Sequence, residues 1–193
     1  MRGDVRYGAI LADPPWLYAT WSGKGRDRCP DARPFKGAPA RHYDVMTLAD
    51  IKALPVASWA APDCALFLWA TTPMLPQALD VMAAWGFAYK ATAFVWAKPN
   101  RKSPGWAIGT GYWTRANAEL CLFGTRGKPK RKSRAVRQLI VEPRREHSRK
   151  PDCTRERIMA LVDGPYLEMF ARSTLPGWDA WGDQVGRFDE AAA

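Results

Sequence analysis

The apolar run Tyr7-Gly8-Ala9-Ile10-Leu11-Ala12 reads as a buried strand, and it is cut off by Asp13-Pro14-Pro15-Trp16. Two successive prolines lack the backbone donors that a strand or helix interior needs, so the strand ends at Asp13. The next residues make a stiff turn with free carbonyl oxygens beside a carboxylate and a large flat ring. In doubly wound α/β sheets ligands gather outside the carboxyl ends of the strands, which is where this turn falls.

Further apolar runs suited to buried strands lie at 64–70, 91–97, 119–123, 138–141 and 166–171. Helical patterns cover Leu48 to Leu54, opened by Thr47 with Asp50 three residues on, Pro76 to Trp85, closed by Gly86, and Thr154 to Val162, with Asp152 or Thr154 as the cap. Strands alternating with such segments predict an α/β fold with a parallel sheet in a single domain over 1–193. Three stretches read as functional loops, at 17–43, 99–113 and 124–135.

The formal net charge of +10 is concentrated rather than spread: residues 98–157 hold 17 Lys/Arg against 5 Asp/Glu. Such a basic centre with interleaved aromatics predicts a polyanionic partner, most simply nucleic acid, and argues against a small-molecule substrate. Lys130, Arg131 and Lys132 are the densest run of that surplus. No apolar run reaches the roughly 20 residues needed to cross a bilayer, so a cytoplasmic protein without membrane contact is expected. The cysteines at 29, 64, 121 and 153 have no metal-ligand spacing, and no metal is expected.

Methylation of an exocyclic amino group on a base is the chemistry that suits Asp13 to Trp16. That nitrogen is a poor nucleophile because its lone pair is delocalised into the ring. The Asp13 carboxylate and the Pro14 carbonyl offer two fixed acceptors for its two hydrogens, favouring the pyramidal geometry that frees the lone pair. Pro15 stiffens the turn, and Trp16 offers a face for the base to stack on.

Beyond Asp13-Pro14-Pro15-Trp16, six blocks run in order: His42-Tyr43-Asp44-Val45-Met46-Thr47, Leu66-Phe67-Leu68-Trp69, Phe94-Val95-Trp96-Ala97-Lys98, Gly109-Thr110-Gly111-Tyr112-Trp113, Lys150-Pro151-Asp152 and Leu167-Glu168-Met169-Phe170-Ala171-Arg172. In these the chain resembles the D-P-P-W class of adenine N(6)-methyltransferases, which use S-adenosyl-L-methionine (AdoMet). This is the family of the catalytic subunit of eukaryotic messenger-RNA adenosine methyltransferase and its bacterial and phage relatives. The resemblance implies a Rossmann-like methyltransferase sheet flanked by helices, with the motifs permuted so that the catalytic turn precedes the cofactor strand.

It also implies roles. Asp13 would face the methionine end of AdoMet and Lys150 its carboxylate; Glu168 and Phe170 would line the cofactor, with Phe170 beside its adenine. Arg172 and Ser173 would approach the ribose, and Asp183 and Gln184 the adenine and ribose edge. Trp16, Tyr43, Lys98, Trp113, Arg115 and Glu119 would meet the substrate, and from the charge pattern itself Lys130, Arg131 and Lys132, with Arg144, Arg145 and Arg149, are expected to hold its phosphates. After Arg172 the eukaryotic pattern has a histidine and an asparagine where this chain reads Ser173-Thr174-Leu175, so the ribose contacts at 173–175 do not carry over by identity. The implied reaction is methyl transfer to the 6-amino group of adenine in DNA. The alternatives are the same reaction on RNA, or a non-catalytic nucleic-acid-binding partner subunit. A monomer or homodimer is expected.

Overall fold

Strands form where the apolar runs lie. A computed structural model describes residues 4–17, 45–109, 111, 113–146 and 148–189. Its strands are β1 (Tyr7–Ala12), β2 (Ala60–Ala70), β3 (Ala88–Ala97), β4 (Ala118–Arg126), β5 (Leu139–Val141), β6 (Tyr166–Met169) and β7 (Trp178–Trp181). Its helices are α1 (Leu48–Ala53), α2 (Val56–Trp59), α3 (Leu75–Ala84) and α4 (Cys153–Leu161).

The seven strands make one sheet in the order β5-β3-β4-β2-β1-β6-β7. β1 pairs in parallel with both β2 and β6, β6 with β7 and β3 with β5, while β4 runs antiparallel to β2 and β3. The expected α/β class holds, but the all-parallel sheet is corrected at β4. A parallel neighbour needs a crossover, usually a helix, whereas the chain between β3 and β4 turns straight back through hairpin-like loops. In those loops the Asn100 N–H donates to the Gly105 carbonyl (3.0 Å) and the Gly109 N–H to the Ala116 carbonyl (2.8 Å).

Alternation along β2 builds both layers of the core. Leu66 and Leu68 join Leu122, Leu167 and the α3 residues Ala78, Val81 and Met82 on one face. Phe67 and Trp69 join Phe94, Cys121, Ile140 and Ile158 of α4 on the other. Full burial of each large apolar side chain contributes roughly 1.5–3 kcal/mol, so this period-two pattern fixes the register. Gly8 is required for close approach, since a Cβ there would stand 2.7 Å from the Gly164 carbonyl oxygen. Gly86 ends α3 at φ 82, as its position after Trp85 predicts.

Local signals explain the other agreements and differences. The Thr47 hydroxyl caps α1, accepting from the Asp50 N–H at 3.1 Å. Neither expected cap operates at α4. Asp152 stands at the N-cap position without a side-chain cap bond, because its carboxylate is taken by arginines, and Thr154 is already inside the helix. The run expected to continue to 171 stops at Met169, where Phe170 turns into the left-handed region at φ 59. β7 and the four-residue α2 carry too little periodicity to be read. Gly124 to Arg126, expected in a loop, pair with β2 as the end of β4. Apart from Leu17, the loop expected at 17–43 lies outside the described residues.

Candidate active site

β1 is the place where the chain's strand order switches direction, with β2 added on one side and β6 later on the other, and the crevice opens at their carboxyl ends. Asp13 leaves β1 into this crevice. The turn behind it is tied down: the Trp16 N–H donates to the Pro14 carbonyl (2.8 Å) and the Met46 N–H to the Pro15 carbonyl (3.1 Å). The Trp16 indole donates to the Trp69 carbonyl at 3.1 Å, and the ring is only 3% exposed. Trp16 is therefore a core side chain that shows an edge to the site, rather than the open stacking face expected from the sequence.

Four charges alternate across the crevice. The Lys150 ammonium donates to Asp13 Oδ2 at 2.8 Å and lies 3.3 Å from Glu119 Oε2, while Glu119 Oε1 pairs with Lys98. The register brings them together: Asp13 follows β1, Lys98 follows β3, Glu119 lies near the start of β4 opposite Trp96, and Lys150 precedes α4. Buried charges are tolerated when each is paired, and here the row sums to zero. Burial pushes the Asp13 carboxyl up, with Lys150 opposing but not cancelling it. Burial would raise Glu119 as well, but Lys150 and Lys98 together hold it down to about 2.

Two cavities meet at this row. The larger, about 890 Å³, is lined by Asp13, Pro14, Trp16, Lys98 and Glu119 and rimmed by cations such as Arg101 and Arg144. The smaller, about 40 Å³, is lined by Asp13, Glu168, Phe170, Arg172, Ser173 and Phe188. Asp13 and Lys150 line both. Around the smaller cavity, Trp69 Nε1, Thr154 Oγ1 and Arg149 Nε are buried without a hydrogen-bond partner. Native proteins leave few such atoms, so this wall has polar capacity for a ligand. The Phe188 ring forms part of the cavity wall, with the Arg149 and Arg172 guanidinium groups each 5.1 Å from the ring centre.

Lys98, Glu119 and Lys150 from the sequence reading thus converge with Asp13, and Glu168, Phe170, Arg172 and Ser173 share the smaller cavity. Burial raises the Glu168 carboxyl to about 7, against the pull of Arg155. Phe170 sits edge-on to Trp181, their centres 5.3 Å apart. Asp183 and Gln184 follow β7, where Gln184 accepts from Arg187 at 2.9 Å, and it is Phe188 from this turn that lines the cavity. Trp113 is 92% exposed and not in the cleft wall, and Arg115 donates to the Gly109 carbonyl at 2.8 Å, bracing its own loop. Tyr43 lies outside the described residues.

Lys130, Arg131 and Lys132 are not brought to the cleft. Arg131 bridges to Val162, and Lys132 donates to the Met159 carbonyl (3.1 Å) and pairs with Asp163 (3.1 Å). Those partners precede β6, placing the run at the opposite end of the strands from Asp13. Arg144 and Arg145, expected among the phosphate contacts, line the larger cleft, while sequence reasoning missed Thr71 there and Thr154, Arg155 and Phe188 in the smaller. Only Arg155 left a signal, three residues after Asp152 on the helix that the Lys150-Pro151-Asp152 block opens.

The sequence profile of the MT-A70 family matches residues 7–184, from β1 through the turn after β7. The chain belongs to the MT-A70 family. Membership places it in the enzyme class expected from the sequence, the adenine N(6)-methyltransferases. Among its relatives, Type II methyltransferase M.MunI of a Mycoplasma species is 32% identical, the match covering 93% of this chain and 78% of that one. The N(6)-adenosine-methyltransferase MT-A70-like of Arabidopsis thaliana is 29% identical over 93% of this chain and 24% of its own length. The N6-methyladenosine RNA methyltransferase MTA1 of Cryphonectria parasitica is 27% identical over 95% and 53%. The chain thus spans about a quarter to a half of these two eukaryotic relatives and most of the bacterial one.

Proposed function

We propose that this MT-A70 protein transfers the methyl group of AdoMet to the 6-amino group of adenine in DNA. The observation that carries the reading is the position of Asp13 and Lys150, in the wall shared by a polar narrow cavity and a large basic-rimmed cleft. A transferase needs donor and acceptor on opposite sides of one small group of atoms.

AdoMet, when bound, supplies a methyl group on a cationic sulfur. The smaller cavity suits it in chemistry: Glu168 and Ser173 for the ribose, Phe170 for the adenine, Asp13 for the ammonium of the methionine end, and unpartnered donors at Trp69 and Thr154.

The target adenine enters the larger cleft with its amino group toward Asp13. Lys150 occupies Asp13 Oδ2, leaving Oδ1 to accept one amino hydrogen, and the second lone pair of the Pro14 carbonyl accepts the other. Both acceptors are fixed in advance by the prolines and the Lys150 contact, which is where their effect on the barrier arises. Methyl transfer would break the S–CH3 bond of AdoMet, release S-adenosylhomocysteine as the neutral leaving group and place positive charge on the amino nitrogen, which would then have to lose a proton. Asp13 Oδ1 takes it, and burial, which raises that carboxyl, makes it the better base. Glu119, held ionised, keeps Lys150 charged and in place beside Asp13.

DNA follows from the likeness to the type II methyltransferase, which extends over most of both chains. In a duplex the target base would be flipped into the cleft, with Arg101 and Arg144 meeting phosphates at its rim. RNA is the second reading, favoured by the fungal relative's name. Incubation with labelled AdoMet and matched DNA and RNA, single- and double-stranded, followed by nucleoside analysis, tests both: N(6)-methyl-deoxyadenosine is expected, and label in RNA alone would replace DNA as the substrate.

A further inference from the structure

Among the described residues two polar side chains are buried, Thr154 and Arg155, and Arg155 is the charged one, 6% exposed. A guanidinium in that position is stable only if its donors are satisfied. They are met from three walls of the smaller cavity. Nη2 donates to Asp152 Oδ1 at 3.2 Å, at the head of α4. Nη1 donates to Glu168 Oε2 at 3.1 Å, on β6, and to Ser173 Oγ at 3.2 Å, in the segment after β6. The Ser173 carbonyl lies 3.5 Å from the same nitrogen.

This sharing dictates what the cavity offers a ligand. A serine hydroxyl that accepts from arginine keeps its own hydrogen to donate, and a carboxylate held through Oε2 keeps Oε1 to accept. Because one nitrogen holds both groups, 3.1 Å from Glu168 Oε2 and 3.2 Å from Ser173 Oγ, the carboxylate that carries the open acceptor and the hydroxyl that carries the open donor are neighbours in the same cavity wall. A donor beside an acceptor is the complement of a vicinal diol, in which each hydroxyl both gives and takes a hydrogen bond.

We propose that Arg155 is a positioning residue that sets Ser173 and Glu168 as a diol-reading pair for the ribose of the bound nucleoside cofactor. This rests on the reading of the cavity as the AdoMet site. It supplies a ribose contact at the place where the chain reads Ser173-Thr174-Leu175 in place of histidine and asparagine. It also gives selectivity: the nucleosides of a DNA substrate lack the 2′-hydroxyl, so a pair tuned to a diol favours the cofactor over them.

The test is calorimetric binding of S-adenosylhomocysteine and its 2′-deoxy analogue to the full chain and to Arg155→Met, Arg155→Lys and Ser173→Ala. The wild-type protein is expected to prefer the ribose form by about tenfold or more. Ser173→Ala and Arg155→Met are each expected to bring that ratio close to one, Arg155→Lys to restore part of it, and the double variant Arg155→Met/Ser173→Ala to lower it no further. A merely structural arginine would weaken both ligands equally and leave the ratio unchanged, which overturns the proposal. Equal wild-type affinity for the two ligands overturns it as well, while leaving the cofactor reading intact. Binding of neither ligand overturns the cofactor reading itself. Should Arg155→Met not fold, Arg155→Lys and Ser173→Ala carry the same comparison.

Discussion

Asp13 Oδ2 and Lys150 Nζ, 137 residues apart in the chain, lie 2.8 Å from one another across the crevice that separates the two cavities. The pair is partly buried, with side-chain exposures of 23% and 14%, and Glu119 shares the same lysine. Each member therefore depends on the others for its charge state, and the consequences are measurable.

Lys150→Met takes the paired cation from Asp13 and leaves Glu119 with Lys98 alone. Breaking such a pair costs about 3–5 kcal/mol, read as a lower denaturation midpoint in urea. Lys150 also opposes the burial that raises Asp13, so its removal pushes Asp13 further up. The acid limb of the pH–rate profile, where Asp13 gains a proton and can no longer accept one, then moves to higher pH. A limb that stays in place would separate Lys150 from Asp13 in function.

Glu119 is held at about 2 in the folded protein against 4.5 for the free side chain. Its stabilising contribution is complete above the unfolded value and disappears as the pH falls from about 4.5 towards 2. Glu119→Gln is expected to lose roughly 2 kcal/mol at pH 6 and to narrow that gap to wild type at pH 3, read from urea curves at both values. A gap independent of pH would assign the loss to packing.

Trp16 tests whether the turn's ring belongs to the core or to the substrate. Trp16→Ala removes a buried indole and is expected to cost about 3–5 kcal/mol of stability. Trp16→Phe keeps most of the packing but loses the bond to the Trp69 carbonyl, about 1 kcal/mol. An alanine variant of wild-type stability with raised KM would make Trp16 a stacking residue after all.

Basic residues in the two regions should differ in salt response. Changing Arg101, Lys102 and Arg144, which line the cleft, to alanine is expected to flatten the dependence of log K on log salt by about 1 for each phosphate no longer neutralised. With an oligonucleotide no longer than the cleft, changing Lys130, Arg131 and Lys132 should leave the slope as it is. Equal flattening in both sets would extend the substrate path to the far end of the sheet.

The sequence made the strands legible wherever an apolar run marked a buried strand, and β1 was read to the residue. Direction was not legible at β4, because it depends on the loops before it rather than on the strand's own residues. The Asp13–Lys150–Glu119 convergence could be reached only through the family resemblance, since Lys150 by itself is an isolated cation beside a helix start. Arg155 and Phe188 escaped because burial of an arginine, and the arrival of a ring from the last turn in a cavity wall, are tertiary facts with no local pattern. Lys130 to Lys132 misled in the opposite sense: a charge run shows where cations are in the chain, not which end of a sheet they reach.

The central claim is that Asp13 makes the adenine amino group nucleophilic. Single-turnover methylation of an adenine-containing duplex by Asp13→Ala, at AdoMet concentrations that saturate the variant, isolates that role from any loss of cofactor affinity. The account predicts a rate lower by at least about 10³-fold, the cost typical of removing a preorganised group aimed at developing charge. A variant that methylates adenine at near wild-type rate would contradict it.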